Sequence, residues 1–186
     1  MPPTTRLLDA PAMGRVLARM ASELVEQTAG GGAVVLVGIQ RRGVQLADRL
    51  APLIEPQLQF PLWRGTLDIT LYRDDLSAIG QRPVVHETRL PPDLNGTTVV
   101  IVDDVLFTGR TVRAALDEIA DFGRPRRILL AVLVDRGGRE LPIAADVTGL
   151  SVTTTAGDQV IVSVKELDGE DAVDLSRGER PPGASA

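Results

Sequence analysis

Uninterrupted apolar runs alternate along this chain with segments whose apolar residues recur at helical spacing. Three runs, at residues 33–37, 97–102 and 128–134, consist almost entirely of Val, Ile, Leu and Ala. Such runs are typical of strands that are buried on both faces, as in a parallel sheet. The segments predicted as helices are residues 10–28, 44–54 and 111–122. Strands and helices in alternation predict an α/β fold with a central, mostly parallel sheet flanked by helices.

The middle of the chain has a less regular pattern. Residues 58–71 predict a strand or a strand pair around Gly65, and residues 84–90 predict a further strand. Between them, the polar segment 72–82 is typical of a mobile loop.

The C-terminal third contains only short β-like runs, such as residues 160–164, separated by turns. Residues 177–186 are rich in Pro, Gly and Ser and are expected to form a disordered tail. Residues 1–176 are therefore predicted to form a single domain, in keeping with the usual length of ~100–200 residues for one domain.

Composition narrows the chemistry available to this chain of 186 residues. It is 44% hydrophobic and 24% charged, which is close to a globular average, and its net charge is −5. The negative charge weakens any interpretation as a general binder of nucleic acids or anionic membranes. Because there is no cysteine and only one histidine, disulfide scaffolds, cysteine nucleophiles and multi-histidine metal sites are excluded.

Targeting segments are not evident in the sequence. The first nine residues lack a sustained apolar run, and the longest apolar runs are far shorter than the ~20 residues of a membrane helix. We therefore expect a soluble, cytoplasmic protein without a membrane partner.

The strongest chemical signal lies in residues 99–111. An apolar strand is followed by Asp103 and Asp104, and a turn containing Thr108 and Gly109 then leads into the third predicted helix. A helix N-terminus with a glycine turn suits a phosphate, and adjacent carboxylates suit vicinal hydroxyls of a sugar. A ligand with both features is a ribose 5-phosphate. Taken one feature at a time, a solvated acidic pair beside a threonine N-cap explains the same residues.

This string resembles the phosphoribosyl pyrophosphate (PRPP) signature of type I phosphoribosyltransferases. Residues 67–76, 123–127, 130–137 and 139–143 further resemble the PyrR family, and the likeness extends from Leu8 to about residue 173. That family consists of uracil phosphoribosyltransferase homologues that also act as attenuation proteins of pyrimidine operons. The resemblance implies a type I phosphoribosyltransferase fold with a small hood from the C-terminal segment and a mobile loop over the active site.

The resemblance also implies roles for individual residues. Asp103 and Asp104 would face the ribose hydroxyls, and Arg73 in the mobile loop would contact the reacting centre. Val134, Asp135 and Arg136 would lie near the base. The residues implied for binding PRPP and UMP are Arg41, Arg42, Gly43, Val105, Leu106, Phe107, Thr108, Gly109, Arg110 and Thr111. Mg²⁺ would be held mainly by the substrate's own oxygens, with no direct protein ligand.

The implied reaction joins uracil to PRPP and gives UMP and pyrophosphate. Purine-specific relatives carry an aspartate four residues after the first acid, and this chain has Phe107 there. A phenyl ring cannot exchange a proton, so Phe107 favours a pyrimidine acceptor. Arg41 and Arg42 are equally well explained as solvated charges before a helix, and His86 is assigned no catalytic role.

The second activity of the family, UMP-dependent binding of the pyr mRNA leader, finds less support. Positions where the family usually carries Thr, His, Arg or Lys are occupied by Ala18, Ser22, Gly138, Ala144 and Leu150. Of the basic set only Arg139 remains, and each lost phosphate contact lowers affinity for RNA.

We therefore predict a member of this family that retains phosphoribosyltransferase chemistry and has weakened or lost RNA attenuation. The alternatives are a UMP-sensing RNA-binding attenuator with little catalytic activity and a phosphoribosyltransferase for another base. The resemblance further implies a homodimer or homotetramer.

Overall fold

The computed structural model describes residues 4–69 and 87–178. Arg73, His86 and the predicted mobile loop 72–82 lie outside the described residues, as do the first three residues of the predicted strand 84–90. The described residues form strands β1 to β8, helices α1 to α4 and one 3₁₀ turn. The strands are β1 (Thr4–Leu8), β2 (Val34–Ile39), β3 (Leu62–Leu67), β4 (Thr98–Leu106), β5 (Arg127–Asp135), β6 (Val147–Ser151), β7 (Gln159–Ser163) and β8 (Ala172–Ser176). The helices are α1 (Ala10–Thr28), α2 (Arg42–Ile54), α3 (Arg110–Ala120) and α4 (Lys165–Asp168), and the 3₁₀ turn is Glu55–Gln57.

Five parallel strands form the central sheet in the order β3-β2-β4-β5-β6. Every residue of β2 is buried, as are the first six residues of β4. This confirms the predicted parallel α/β architecture, because strands covered on both faces have no need of polar alternation.

Helices cover both faces of this sheet. Val34, Leu36 and Val100 point toward α1 and α2, whereas Val35 and Ile101 point toward α3. The split follows from the alternation of side chains along a strand. Helix α1 begins at the predicted position because the carboxylate of Asp9 accepts a hydrogen bond from the amide of Ala12 at 2.9 Å, which is an N-cap.

A second, antiparallel sheet in the order β1-β8-β7 forms the hood together with α4. The expected hood came from the C-terminal segment alone, whereas the structure adds β1 from the N-terminus. The sequence analysis missed β1 because three of its five residues are exposed and its pairing partner lies at the other end of the chain.

Several boundaries differ from those predicted. Strand β4 continues to Leu106, so Asp103 and Asp104 lie within the strand and not after it. In the predicted segment 58–71, the described residues 58–69 contribute a single strand, β3, which pairs in parallel with β2. Arg89 forms one antiparallel bridge with Thr66 of that strand.

The hood holds the described end of the chain. The Asp158 carboxylate accepts hydrogen bonds from the Arg177 guanidinium at 2.8 Å and from the Gly178 amide at 3.1 Å. The domain boundary at residue 176 stays a prediction, although these two residues beyond it bind the domain. Among the described residues, no helix has the length and apolar composition needed to cross a bilayer.

The packing of α2 yields a test of the core. Leu50 is fully buried, whereas Leu53, one turn further on, is 40% exposed. We expect Leu50→Ala to lower the free energy of unfolding by about 2–5 kcal/mol, because it leaves a cavity between α2 and the sheet. The matched variant Leu53→Ala should change it by less than about 0.5 kcal/mol. Urea denaturation followed by circular dichroism measures both, and equal losses would contradict this packing.

Candidate functional site

The parallel register brings the predicted site segments to one edge of the sheet. Val102 of β4 pairs with Gly38 of β2, and farther along the same strand Leu106 pairs with Asp135 of β5. The carboxyl ends of three adjacent strands therefore open into one crevice, which is where α/β sheets bind ligands.

Backbone amides orient the two carboxylates of β4. The Asp103 carboxylate accepts a hydrogen bond from the amide of Asp104 at 2.9 Å, and the Asp104 carboxylate accepts one from the amide of Val105 at 2.9 Å. Asp103 is only 7% exposed, whereas Asp104 is half-buried. Val105 and Leu106 complete the strand, with Leu106 buried in the core. The pair is thus fixed where the crevice begins.

The turn that follows is built to leave a helix N-terminus facing the crevice. Gly109 precedes α3 with φ 93° and ψ −5°, a left-handed conformation that favours glycine. The Thr108 hydroxyl accepts from the amide of Arg110 at 3.3 Å. The Thr108 carbonyl accepts from the amides of Glu140 and Leu141 at 3.0 and 3.1 Å, so the segment after β5 holds the turn.

The Arg110 side chain, which was predicted to bind PRPP, is engaged with a neighbouring carboxylate. The Arg110 guanidinium donates to the Glu140 carboxylate at 2.8 Å. Both side chains are about half exposed, so this ion pair adds little stability. Thr111 lies half-buried in the first turn of α3. The ability of this turn to bind a phosphate group therefore depends on its backbone amides and on the hydroxyls of Thr108 and Thr111.

The segment after β2 approaches the acidic pair closely at Gly43. A methyl group on Gly43 would lie 2.4 Å from the carbonyl oxygen of Val102, so a larger residue would push α2 away from β4. The Gln40–Arg41 peptide bond is cis, and the Arg41 side chain is exposed.

Arg42 has a partner that the sequence analysis did not foresee. Its guanidinium donates from Nε and Nη2 to the two carboxylate oxygens of Asp168, at 3.0 and 2.9 Å. This bidentate bond is the main cause that raises the pKa of Arg42, and the charge of Asp104 adds to it. The same bond lowers the pKa of Asp168. Arg42 therefore joins the hood to the segment after β2 that was predicted to bind PRPP.

The residues predicted to lie near the base stand at the end of β5, and one of them, Arg136, contacts Phe107. Val134 is buried, and the Asp135 carboxylate accepts from the amide of Gly137 at 2.9 Å. The guanidinium carbon of Arg136 lies 4.0 Å from the centre of the Phe107 ring, a cation–π contact. Arg136 also donates to the Asp158 carbonyl at 2.7 Å.

A cavity of about 480 Å³ opens beside this pair, and the hood loop forms its other wall. The residues that line it are Phe107, Arg136, Gly138, Thr154, Thr155, Ala156, Gly157, Asp158 and Gln159. Its volume falls within the range of small-molecule sites. The sequence analysis did not predict residues 154–159, although the run of three threonines before Ala-Gly-Asp is a recognisable turn signal.

Asp158 organises that hood loop. Besides Arg177 and Gly178, its carboxylate accepts from the amide and the hydroxyl of Thr155, at 2.8 and 3.0 Å. The hydrogen bonds, of which that from the Thr155 amide is the largest cause, lower the pKa of Asp158 to about 2. The carboxylate is therefore charged at neutral pH and closes the loop.

Arg139, the predicted RNA contact, is held within the protein. Its guanidinium donates to the carbonyls of Phe107 and Ile143, at 2.8 and 2.9 Å, and to the Asp135 carboxylate. These contacts fix the chain after β5 against the turn after β4. The RNA contact itself stays a prediction.

Comparisons with known proteins agree with this geometry. The family model described as "Phosphoribosyl transferase domain" matches residues 3–168. A "Bifunctional protein PyrR" of Thermus aquaticus is 57% identical over 169 residues, covering 91% of this chain and 93% of its own. One from Chloroflexus aurantiacus is 55% identical over 173 residues, covering 93% of this chain and 95% of its own.

A solved structure extends the likeness to the fold. The hypoxanthine phosphoribosyltransferase of Trypanosoma cruzi superposes with a TM-score of 0.68 at 17% identity, covering 94% of this chain and 97% of its own. The fold is thus that of the phosphoribosyltransferases. Given the identities above, the chain belongs to the PyrR family within that class.

The packing of the Phe107 ring against Gly138 provides a test of the site geometry. A methyl group at Gly138 would lie 2.4 Å from Cε2 of the Phe107 ring, whereas at Gly137 none of the described heavy atoms lies within 4 Å. Both glycines have positive φ, 74° and 70°, so alanine at either position carries a similar backbone cost of about 1–2 kcal/mol. We expect Gly138→Ala to destabilise the fold by about 0.5–1.5 kcal/mol more than Gly137→Ala, because the Phe107 ring must leave its present rotamer.

Urea denaturation measures this difference, and Phe107→Ala provides the control. In that background the penalty of Gly138→Ala should fall to that of Gly137→Ala. An unchanged difference would show that the ring does not limit residue 138.

Proposed function

We propose that this chain transfers the phosphoribosyl group of PRPP to uracil, forming UMP and releasing pyrophosphate. The observation that carries the proposal is the end of β4. There, two amide-oriented carboxylates stand directly before a glycine turn that opens α3. Carboxylates suit the two ribose hydroxyls, and the helix N-terminus suits the 5-phosphate.

In the reaction, a bond forms between N1 of uracil and C1′ of the ribose while the bond from C1′ to the pyrophosphate oxygen breaks. The electron pair leaves with pyrophosphate, and the proton of uracil N1 is released. Arg41, Arg42 and Gly43 follow β2 at the same crevice, and the arginine charges would stabilise the departing group. Asp103 and Asp104 would keep the ribose oriented throughout.

Mg²⁺ fits this site as part of the donor. It would be held mainly by the pyrophosphate and hydroxyl oxygens of PRPP, with the Asp103 and Asp104 carboxylates beside those hydroxyls. The ion supplies charge neutralisation on the leaving pyrophosphate.

Phe107 supports a pyrimidine over a purine acceptor. Its ring, 43% exposed, stands where purine-specific relatives were expected to carry an aspartate, and Arg136 lies over its face. A ring in this position excludes water but offers no proton. Val134, Asp135 and Arg136 are proposed to meet the base, and Arg73 is proposed to act from the segment outside the described residues. The proposal also retains a cytoplasmic location and assembly as a homodimer or homotetramer.

The acidic pair provides the decisive variant. We expect the double variant Asp103→Asn/Asp104→Asn to lose at least about a hundredfold in kcat/KM, because both charge-assisted bonds to the ribose are lost. Radiolabelled uracil, orotate, hypoxanthine and guanine, each supplied with Mg·PRPP, measure transfer. The exposed acid Asp117 of α3 supplies the control variant Asp117→Asn, which should keep wild-type rates.

Two outcomes would contradict the proposal. Full activity of the double variant would place the ribose contacts elsewhere, and preference for a purine would overturn the argument from Phe107. UMP binding by the wild-type chain without pyrophosphate release would instead support the attenuator with little catalytic activity.

We propose that this chain binds RNA more weakly than family members that carry the usual basic residues. The supporting observation is Arg139, whose guanidinium is occupied by three carbonyls and a carboxylate. In helix α1, Arg19 likewise donates to the Gly149 carbonyl and to Glu23. Internal partners of this kind compete with phosphates for the same donors.

A gel-shift titration with the pyr mRNA leader tests this second proposal. We expect weak binding that falls only shallowly with salt, because few cations remain to contact phosphates. Addition of UMP should not strengthen it. An RNA of equal length and scrambled sequence is the control. Tight binding that is specific to the leader and enhanced by UMP would show that attenuation is retained.

A further inference from the structure

One carboxylate in the hood connects two parts of the proposed active site. Asp168, the last residue of α4, accepts from Nη2 of Arg42 at 2.9 Å through one oxygen. Its other oxygen accepts from Nε of Arg42 at 3.0 Å and from the amide of Val164 at 2.8 Å. Asp168 thus binds the first residue of α2 and also the residue that precedes α4.

Arg42 also begins the helix whose next residue packs against β4. The hydrogen bond to Asp168 is the main cause that raises the pKa of Arg42, and the charge of Asp104 in β4 adds to the rise. The next residue, Gly43, packs against the carbonyl of Val102, just before the acidic pair. The position of Arg42 is therefore set by the hood on one side and by β4 on the other.

The geometry of a guanidinium determines what this arrangement leaves available. Its donors lie on separate edges of a rigid plane. Asp168 takes the edge formed by Nε and Nη2, and the edge formed by Nη1 and the second N–H of Nη2 matches two phosphate oxygens. A guanidinium held by one carboxylate loses less conformational freedom when it binds an anion.

We propose that Asp168 is a positioning residue, which holds Arg42 so that the remaining edge of its guanidinium receives the pyrophosphate group of the donor. This inference rests on the proposed function. It couples the hood to the donor site. A hood residue that does not contact the donor then influences the affinity of the chain for the donor.

The same helix supplies a matched control. Arg49 lies seven residues after Arg42, about 10 Å further along α2. Its guanidinium donates to both oxygens of Glu166, at 2.9 and 2.6 Å, and to Asp171 at 2.7 Å. Glu166→Gln therefore disturbs a bidentate pair between the same helix and the same hood without touching Arg42.

Steady-state kinetics of Asp168→Asn and Glu166→Gln test the proposal. Asparagine keeps an oxygen for the Val164 amide but turns a donor toward Arg42. We expect KM for PRPP to rise about tenfold in Asp168→Asn, the effect of losing one charge-assisted bond. KM for uracil should stay within about twofold of the wild-type value, and Glu166→Gln should leave KM for both substrates near wild type.

A merely structural role of Asp168 would not produce this split. A loosened hood would raise KM for uracil at least as much as KM for PRPP, and that result would overturn the proposal. An unchanged or lowered KM for PRPP in Asp168→Asn would also overturn it, because it would mean that Asp168 is idle or competes with pyrophosphate for Arg42.

A double-mutant cycle with Arg42→Lys tests whether Asp168 acts through Arg42. Lysine keeps the charge but cannot form a bidentate bond. If Asp168 acts through Arg42, Asp168→Asn should have little further effect on KM for PRPP in the Arg42→Lys background. Additive effects would contradict the proposal.

The wild-type chain allows a measurement that needs no variant to fold. In protein with ¹⁵N-labelled arginine, the Nε–H of Arg42 should stay protected from solvent exchange when Mg·pyrophosphate is added, because Asp168 retains it. Loss of protection would show that pyrophosphate displaces Asp168, contrary to the proposal.

The failure of this inference is distinguishable from failure of the proposed function. If the wild-type chain transfers no phosphoribosyl group to any base and binds no PRPP, the function is wrong. If the wild-type chain is active and Asp168→Asn behaves like Glu166→Gln, only the positioning role is wrong.

Discussion

The parallel pairing of β4 between β2 and β5 is the constraint on which the rest of this structure depends. A central strand of a parallel sheet must match its neighbours in direction, so the carboxyl ends of all three strands meet at one edge. Since apolar side chains cover both faces along most of these strands, the polar residues of the site lie near the carboxyl ends of the strands and in the loops that follow. The acidic pair, the arginines after β2 and the residues after β5 are together for this reason.

The arginines around the site form hydrogen bonds with different partners within the protein. Arg42 is joined to the hood, Arg110 to Glu140, and Arg139 to Asp135 and backbone carbonyls. Arg42 and Arg139 thereby hold loops in place, whereas the exposed pair of Arg110 adds little. The bidentate bond of Arg42 to Asp168 is directional, so it fixes its loop more narrowly than apolar contacts would. The site is thus supported from outside the sheet.

Phe107 and Gly138 form one steric contact at the edge of the proposed acceptor site. The Phe107 ring occupies space that any side chain at residue 138 would need. Glycine leaves room for the ring at a position where the family usually carries His.

The sequence by itself determined the parallel α/β architecture, the three long helices and the passage from strand through glycine turn to helix at residues 103–111, because these depend on local periodicity and on neighbours in the chain. Tertiary structure alone decided the partners. Arg42 and Asp168 are 126 residues apart, and β1 pairs with β8 across almost the whole chain. In the sequence, an arginine that binds a ligand cannot be distinguished from one that binds a distant carboxylate. Only the folded chain sets which anion lies within hydrogen-bonding distance of its guanidinium.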